Sequence, residues 1–352
     1  ARFGLTSTLY AGLGLQVIAL LALTQLDPEW AIGASVVFVM LVQGASGVAK
    51  DLAKMSSKSA VKLLAPAGHI GLFRWVALLT GSKNMVKGFG FLLGAALLAT
   101  IGFTGAVLGM ATVLAVILIA VLVLMPAGLP KGNPGAKFTE AFSMSPNVNW
   151  LSAARVVLFG ARDVWFVVGI PIYFYAILSD GTEEGNRMSF FLIGTFMAIW
   201  VILYGLVQIN APRILNAKSR TTAELISVTR LWAWALTLVP GVLAVAALLA
   251  NGPQHWLTLG LVLGLLLFGA LFAINSSLHS FLILLFTKAE RVTRDVGFYY
   301  MANAAGRLIG TLASGLTYHI GGLPLMLAIA AGMVALSAMA VSFLVPEEET
   351  MG

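Results

Sequence analysis

Apolar runs about 20 residues long, joined by short polar connections, recur along almost the whole chain, and that is the length a helix needs to cross the hydrocarbon core of a bilayer. Inside lipid every backbone N–H and C=O must be satisfied within the protein, so each run closes its hydrogen bonds as a helix. Roughly ten runs can be marked on this length criterion. They are Leu5 to Leu26, Trp30 to about Lys50, Phe73 to Ile101, Ala106 to Met125, Trp150 to Leu178, Ser189 to Asn210, Ile226 to Ala250, Trp256 to Phe286, Gly297 to Tyr318 and Leu323 to Val345. Several exceed a straight crossing, which implies tilt. One polar stretch rich in Gly and Pro, Pro126 to Pro146, is the convincing internal boundary. The expected organisation is an N-terminal helical bundle over 1–125, a central loop over 126–148, a C-terminal six-helix bundle over 149–346 and a tail over 347–352. The fold class is an all-α polytopic membrane protein.

Composition narrows the chemistry. Of 352 residues 59% are hydrophobic and 10% charged, far from the soluble range. The formal charge of +7 sits in no separate basic domain, so nucleic acid is not an expected partner. The absence of cysteine removes disulfides, zinc knuckles, iron–sulfur sites and thiol coordination of soft metals or trivalent arsenic. His69, His255, His279 and His319 are scattered without metal-ligand spacing, and no Ser, His and Asp set assembles at a credible depth. No Walker sequence is present either. A non-enzymatic protein without cofactor or metal is expected. Arg2-Phe3-Gly4 opens directly onto an apolar helix, so no cleaved leader is expected.

Loop charge sets the orientation. One set of connections carries Arg2, Lys54, Lys58, Lys62, Lys131, Lys137, Arg213, Lys218, Arg220, Lys288, Arg291 and Arg294. The other carries Asp27, Glu29, Asp180, Glu183 and Glu184, with Arg187 its one basic residue. Basic loops face the cytoplasm, which puts the N-terminus of the chain, the central loop and the C-terminus there.

Among the cations inside the apolar runs five stand out: Lys83 and Lys87 in the third, Arg155 and Arg162 in the fifth, Arg307 in the ninth. At the centre of a membrane helix each costs about 2.5 to 3.5 kcal/mol, or about 12 to 18 kcal/mol together before any snorkelling. A negatively charged cargo is the simplest reason to keep them. Thr80, Lys83, Asn84, Lys87, Phe91 and Gly94 recur every three or four residues, so the two lysines share a face, and Lys87 lies about 21 Å along the helix from Phe73. Snorkelling to the headgroups is the alternative, and it suits Lys83 better than Lys87. Ser152, Arg155, Phe159, Arg162, Phe166 and Tyr173 form a second stripe, with Asp163 directly after Arg162. A guanidinium fork fits the oxygens of a phosphate-like oxyanion in pairs, whereas an ammonium is a mobile point charge. An internal Arg162–Asp163 pair that merely joins helices is the competing reading.

Further along, Asn303, Arg307, Thr311 and Ser314 share a face, with Tyr300 one turn before; Asn275 and His279 share a face of the preceding helix and suit interhelical hydrogen bonds. Lys50, Lys54, Lys58 and Lys62 repeat every four residues at the cytoplasmic exit of the second run. They either draw anions toward a cavity or anchor the helix against anionic lipid. Gly88, Gly90, Gly94 and Gly306, Gly310, Gly315 lie inside membrane helices and permit close packing. For a proton-driven cycle the plausible carboxylates near the helices are Asp163 and Asp51, Asp163 the better placed.

Four runs before the central loop and six after it make an unequal pair, whereas many transporters consist of two six-helix halves. Two helices ahead of Ala1 are therefore expected to be missing from this chain. Arg2-Phe3-Gly4 with Leu9 resembles the tail of the Gly-x-x-x-Asp-Arg-x-Gly-Arg-Arg loop of the major facilitator superfamily, Ala1 standing in the acidic position and Leu5 in place of the first closing arginine. Three internal blocks, Ser46 to Ala60 (SGVAKDLAKMSSKSA), Leu79 to Gly90 (LTGSKNMVKGFG) and Leu158 to Gly169 (LFGARDVWFVVG), resemble the ArsJ-type organoarsenical efflux permeases of that superfamily.

The resemblance implies a major facilitator fold with about ten of twelve helices present. It also implies proton-coupled export of 1-arseno-3-phosphoglycerate by alternating access, a multi-pass protein of the bacterial inner membrane, and arsenate resistance. Glyceraldehyde-3-phosphate dehydrogenase, the implied functional link, makes the ester when arsenate replaces phosphate; outside, the ester falls apart to arsenate. On this reading Lys83, Asn84, Lys87, Arg155, Arg162, Asn303 and Arg307 hold the substrate, Asp163 carries the coupling charge, and Lys50, Asp51 and Lys54 serve the cavity mouth. The expected partners are the anionic small molecule and the lipid bilayer, with the chain a monomer. The runner-up is a facilitator for another organic phosphate or an anionic lipid, and a membrane-embedded enzyme ranks below both.

Overall fold

A computed structural model describes residues 4–27, 29–64, 69–125, 145–250 and 252–346. Most of the central loop, the tail after 346 and the opening Ala1 to Phe3 fall outside the described residues, as do the side chains of Lys58, Lys62 and Phe91. Among the described residues every regular element is helical: α1 (Gly4–Leu23), α2 (Ile32–Leu64), α3 (His69–Leu124), α4 (Pro146–Val164), α5 (Ile170–Leu178), α6 (Glu183–Ile214), α7 (Thr222–Ala250), α8 (His255–Leu285) and α9 (Val292–Ser342), with short 3₁₀ and π segments. Seven described helical stretches are long and apolar enough to cross a membrane.

The two longest helices each contain two of the expected runs. In α3 the break is Gly102 (φ 69°, ψ 179°), and in α9 it is Gly321 and Gly322, the latter at φ 60°, ψ −157°. An L side chain is strained at those positive φ values, so glycine is what allows the chain to leave one helix and begin the next. Both breaks fall in the gaps between apolar runs. The chain is an all-α polytopic membrane protein.

The helices form two compact units. The first gathers Ala1–Leu64, Gly90–Ala141 and Ala289–Gly297. Its core is Ala19, Leu23, Val42 and Val107, and α1 meets α2 through Gly12, where a Cβ would come within 2.9 Å of the Ala49 carbonyl oxygen. Gln16 and Ser46 add a reciprocal pair of hydrogen bonds of 2.9 and 3.0 Å. Lipid is as apolar as leucine, so helices here associate through close packing and polar contacts of this kind.

The second unit gathers Ala65–Phe89, Phe142–Lys288 and Phe298–Gly352, and so holds the part of α3 that carries Lys83 and Lys87. Gly81 and Gly88 place that part of α3 backbone to backbone on α6, where Gly205 and Ala198 supply the facing carbonyls. Aromatic residues fill the centre. Trp165 packs edge-on to Phe268, Phe268 stacks on Phe272, and the buried Trp200 indole donates to the Leu265 carbonyl at 2.8 Å.

Helix α4 positions the site. Ser145 caps its start by accepting from the Val148 N–H, Pro146 occupies the first turn, and Asn147 exchanges two hydrogen bonds with the Val345 backbone (2.8 and 3.0 Å). It ends in a π-helical turn, Trp165–Gly169, in which the Ile170 N–H reaches back to the Trp165 carbonyl. Pro171 follows directly, and the wider turn spaces its ring from the carbonyl that an α-helix would place against it. Against α4 lies the first half of α9. A Cβ on Gly306 would overlap the Val156 carbonyl oxygen, and one on Gly310 the Gly160 carbonyl oxygen, so the two backbones touch. That approach brings residues 163 and 307 within reach of each other.

Candidate functional site

The site is a cluster of guanidinium groups around one carboxylate. Arg155, on the inward face of α4, is buried; its Nε donates to Asn303 Oδ1 at 3.1 Å and its Nη1 to Ser276 Oγ at 3.2 Å. Both partners are neutral. Its charge is faced by aromatic rings, Phe159 at 3.7 Å and Tyr299 at 4.9 Å from the guanidinium carbon. Ring quadrupoles attract a cation without neutralising it. Arg155 therefore keeps a full positive charge in a setting of low polarity, where an arriving anion is felt strongly.

Two turns on, Arg162 and Asp163 pair. Arg162 places Nε at 2.7 Å and Nη2 at 2.6 Å on the same oxygen, Asp163 Oδ1, and its guanidinium lies 4.7 Å from the Phe159 ring and 5.5 Å from Phe272. Arg307 reaches across from α9 to the other oxygen, Asp163 Oδ2, at 2.9 Å. The carboxylate is 1% exposed, whereas the Arg162 side chain is 17% and the Arg307 side chain 50% exposed. One negative charge therefore serves two of three positive ones. Phe159 lies against both Arg155 and Arg162, so a single ring spaces the two like charges.

The structure thus brings Arg155 and Asn303 into one bonded group and Arg162, Asp163 and Arg307 into another, with the Phe159 ring in contact with both. Asn84 on α3 is tied by a side-chain hydrogen bond to Gln208 on α6. Gln208 also accepts, through its backbone carbonyl, from Ser277 of α8 at 3.3 Å. Ser276 beside it holds Arg155, so a polar chain runs from α3 through α6 and α8 to α4 and α9. Lys83 and Lys87 flank Asn84 with exposed side chains. In the other unit Lys54 Nζ bonds Asp51 Oδ1 at 2.7 Å, an i, i+3 pair on the surface of α2, with Lys50 exposed beside it.

Sequence reasoning missed Gln208, Ser276 and Ser277 as members of this network. A signal existed: Asn275-Ser276-Ser277-Leu278-His279-Ser280 is a dense polar run inside an apolar helix, and all six side chains are buried. Asn275 itself joins helices, donating to the Trp232 carbonyl at 2.9 Å. Among the described residues no group of three His, Cys, Asp or Glu side chains is arranged to hold a metal ion.

No family model and no curated protein matches the chain. Solved structures do. A bacterial homologue of the iron transporter ferroportin in its outward-facing state aligns with TM-score 0.73 at 14% identity, over 97% of this chain and 83% of that one. The E. coli fucose:proton symporter FucP aligns with TM-score 0.68 at 13% identity over 98% and 85%. The human organic anion transporter MFSD10 gives 0.67 at 15% over 96% and 81%. Likeness at these identities carries the architecture alone, and across nearly the whole chain that architecture is the same. The chain has the major facilitator superfamily fold.

Proposed function

We propose that the protein is a membrane transporter that moves a small organic oxyanion by alternating access, and that the anion is the arsenate ester 1-arseno-3-phosphoglycerate, exported across the bacterial inner membrane. The observation that carries this reading is the excess of guanidinium over carboxylate in the cluster. Arg162 and Arg307 share the single carboxylate of Asp163, while Arg155, against the same Phe159 ring as Arg162, has only neutral hydrogen-bond partners among the described residues. The ester, negatively charged at both its phosphate and its arsenate end, supplies the missing charge, and planar forks suit those oxygens in pairs. The fold neighbours support the transport class: a sugar:proton symporter and an organic anion transporter share it. Iron transport, the activity of another neighbour's relative, fits these residues poorly, because a net positive cluster repels a divalent cation.

In this reading Arg155 with Asn303 anchors one end of the ester, while Arg162 and Arg307 receive the other. Lys83 and Lys87 extend the positive surface along α3, with Asn84 between them bonded to Gln208 of α6; Lys50, Asp51 and Lys54 serve the mouth, and Asp163 sets the charge state. The chain works as a monomer beside glyceraldehyde-3-phosphate dehydrogenase, which generates the cargo. Everted vesicles test it, with the ester produced in place by that enzyme from arsenate, glyceraldehyde 3-phosphate and NAD+ as the hydride acceptor. Uptake of the ester should exceed that of 3-phosphoglycerate, phosphate and arsenate; equal uptake of all four overturns the specific reading.

A further inference from the structure

We infer that Asp163 is a built-in competitor for the transported anion, and that Arg307 is the arm that passes from one to the other. The inference rests on the anion-transport reading above and adds how the site takes up and releases its cargo. The carboxylate is fixed: it sits on α4, 1% exposed, with Oδ1 held by two nitrogens of its sequence neighbour Arg162. Arg162 is fixed too, by that double contact and by the rings of Phe159 and Phe272. Arg307 is held differently. One nitrogen, Nε, contacts Asp163 Oδ2, its two terminal nitrogens make no hydrogen bond among the described residues, and half of the side chain is exposed. Of the three guanidinium groups it is the one that can leave at least cost while presenting an unused fork.

Helix geometry gives the exchange a consequence. Asn303 lies one turn before Arg307 on α9, and it accepts from Arg155 of α4. Two bonds therefore join α9 to α4 on this face: Asn303 to Arg155, and Arg307 to Asp163. An oxyanion that draws Arg307 from Asp163 dissolves the second while leaving the first, so occupancy changes how the two helices are tied. A ligand moves a conformational equilibrium only by binding its states unequally, and this exchange supplies the inequality. Release follows by the reverse step, with Asp163 reclaiming Arg307 and lowering the affinity for the departing anion.

Neutralising the competitor should therefore tighten binding and slow turnover. The test uses the full chain in proteoliposomes, with 3-phosphoglycerate and inorganic arsenate as probes for binding and for counterflow. Asp163→Asn should bind 3-phosphoglycerate about tenfold more tightly than the unaltered protein, with counterflow slowed about as much. Unchanged affinity in Asp163→Asn, beside measurable binding by the unaltered protein, overturns the competitor role and leaves the anion site standing. Where the unaltered protein binds neither probe, the same comparison is read from the apparent affinity for the ester in everted vesicles, and if it takes up no ester either, the anion reading falls and this one with it. Should Asp163→Asn fail to reach the membrane, the double variant Asp163→Asn/Arg307→Gln keeps the net charge of the pair. It should bind more tightly than Arg307→Gln alone, because Arg162 is released; equal binding by the two overturns the proposal.

Discussion

The two cationic regions of the second unit were equally visible as breaks in apolar runs, yet they are built in different ways. Around Asp163 the arginines are cross-braced. Arg155 is held by hydrogen bonds from α4 to α8 and α9, Arg162 by its bonds to Asp163 on α4 itself, and both by rings on one side, so the positions of their charges are set before any anion arrives. On α3 the packed seam is Gly81, Asn84 and Gly88 against α6, and Lys83 and Lys87 lie beside it with long, exposed side chains. The first region suits recognition by geometry, the second attraction by charge. Residues of one charge sign at comparable depth need not do the same work.

The largest effect that tests this contrast is expected at Arg155. Arg155→Lys keeps the charge and loses the fork, so it cannot hold Asn303 and Ser276 while meeting an oxyanion. Losing one charged hydrogen bond is worth about 1.5 to 3 kcal/mol, so transport of the ester into everted vesicles should fall about tenfold to a hundredfold. The loss should be insensitive to salt, because the group is buried. A Lys variant with unchanged transport would show that this region acts through charge alone, and the contrast would collapse.

A smaller and salt-dependent effect is expected on α3. Lys87→Ala and Lys83→Ala each remove an exposed charge, and apparent affinity at low ionic strength should drop about threefold to tenfold. Raising the salt should narrow the gap, the unaltered protein falling toward each variant, since exposed charges are screened over about 10 Å at 0.1 M. A loss in Lys87→Ala that is as large as that in Arg155→Lys and persists at high salt would place Lys87 inside the bonded site instead.

How much of this could be read in the residues differs by kind of contact. Breaks at Gly102 and Gly322 fall between apolar runs because hydrophobic length alone sets where a crossing must end. The stripe from Arg155 through Phe159 to Arg162 follows from 3.6-residue periodicity, and the two guanidinium groups do lie against the Phe159 ring. The Arg162–Asp163 pair breaks the usual rule that adjacent helical residues point apart; a long arginine side chain folds back onto its neighbour. Contacts between helices were out of reach. Arg307 with Asp163 spans 144 positions and Asn84 with Gln208 spans 124, and such pairings depend on which glycines let backbones touch, here Gly306 and Gly310 for one and Gly81 and Gly88 for the other. The π turn at Trp165–Gly169 is likewise a tertiary outcome, hinted at only by Pro171 inside an otherwise continuous run.

The smallest expected effect concerns what holds the lysine strip in place. If Lys83 and Lys87 act by charge, the Asn84–Gln208 bond between them and α6 contributes packing rather than recognition. Polar side-chain bonds between membrane helices average about 0.6 kcal/mol, because groups unfolded in the bilayer also find partners. Asn84→Leu and Gln208→Leu, singly and together, should therefore give a double-mutant coupling of about that size in unfolding of the detergent-solubilised protein. Transport by the double variant should stay within about threefold, the factor that such an energy corresponds to, since the bond from Ser277 to the Gln208 backbone carbonyl survives the change of side chain. A tenfold loss of transport at equal stability would move Asn84 from the scaffold into the binding site. The line between the two regions would then run through the α3 stripe, with Asn84 on the arginine side and the lysines on the other.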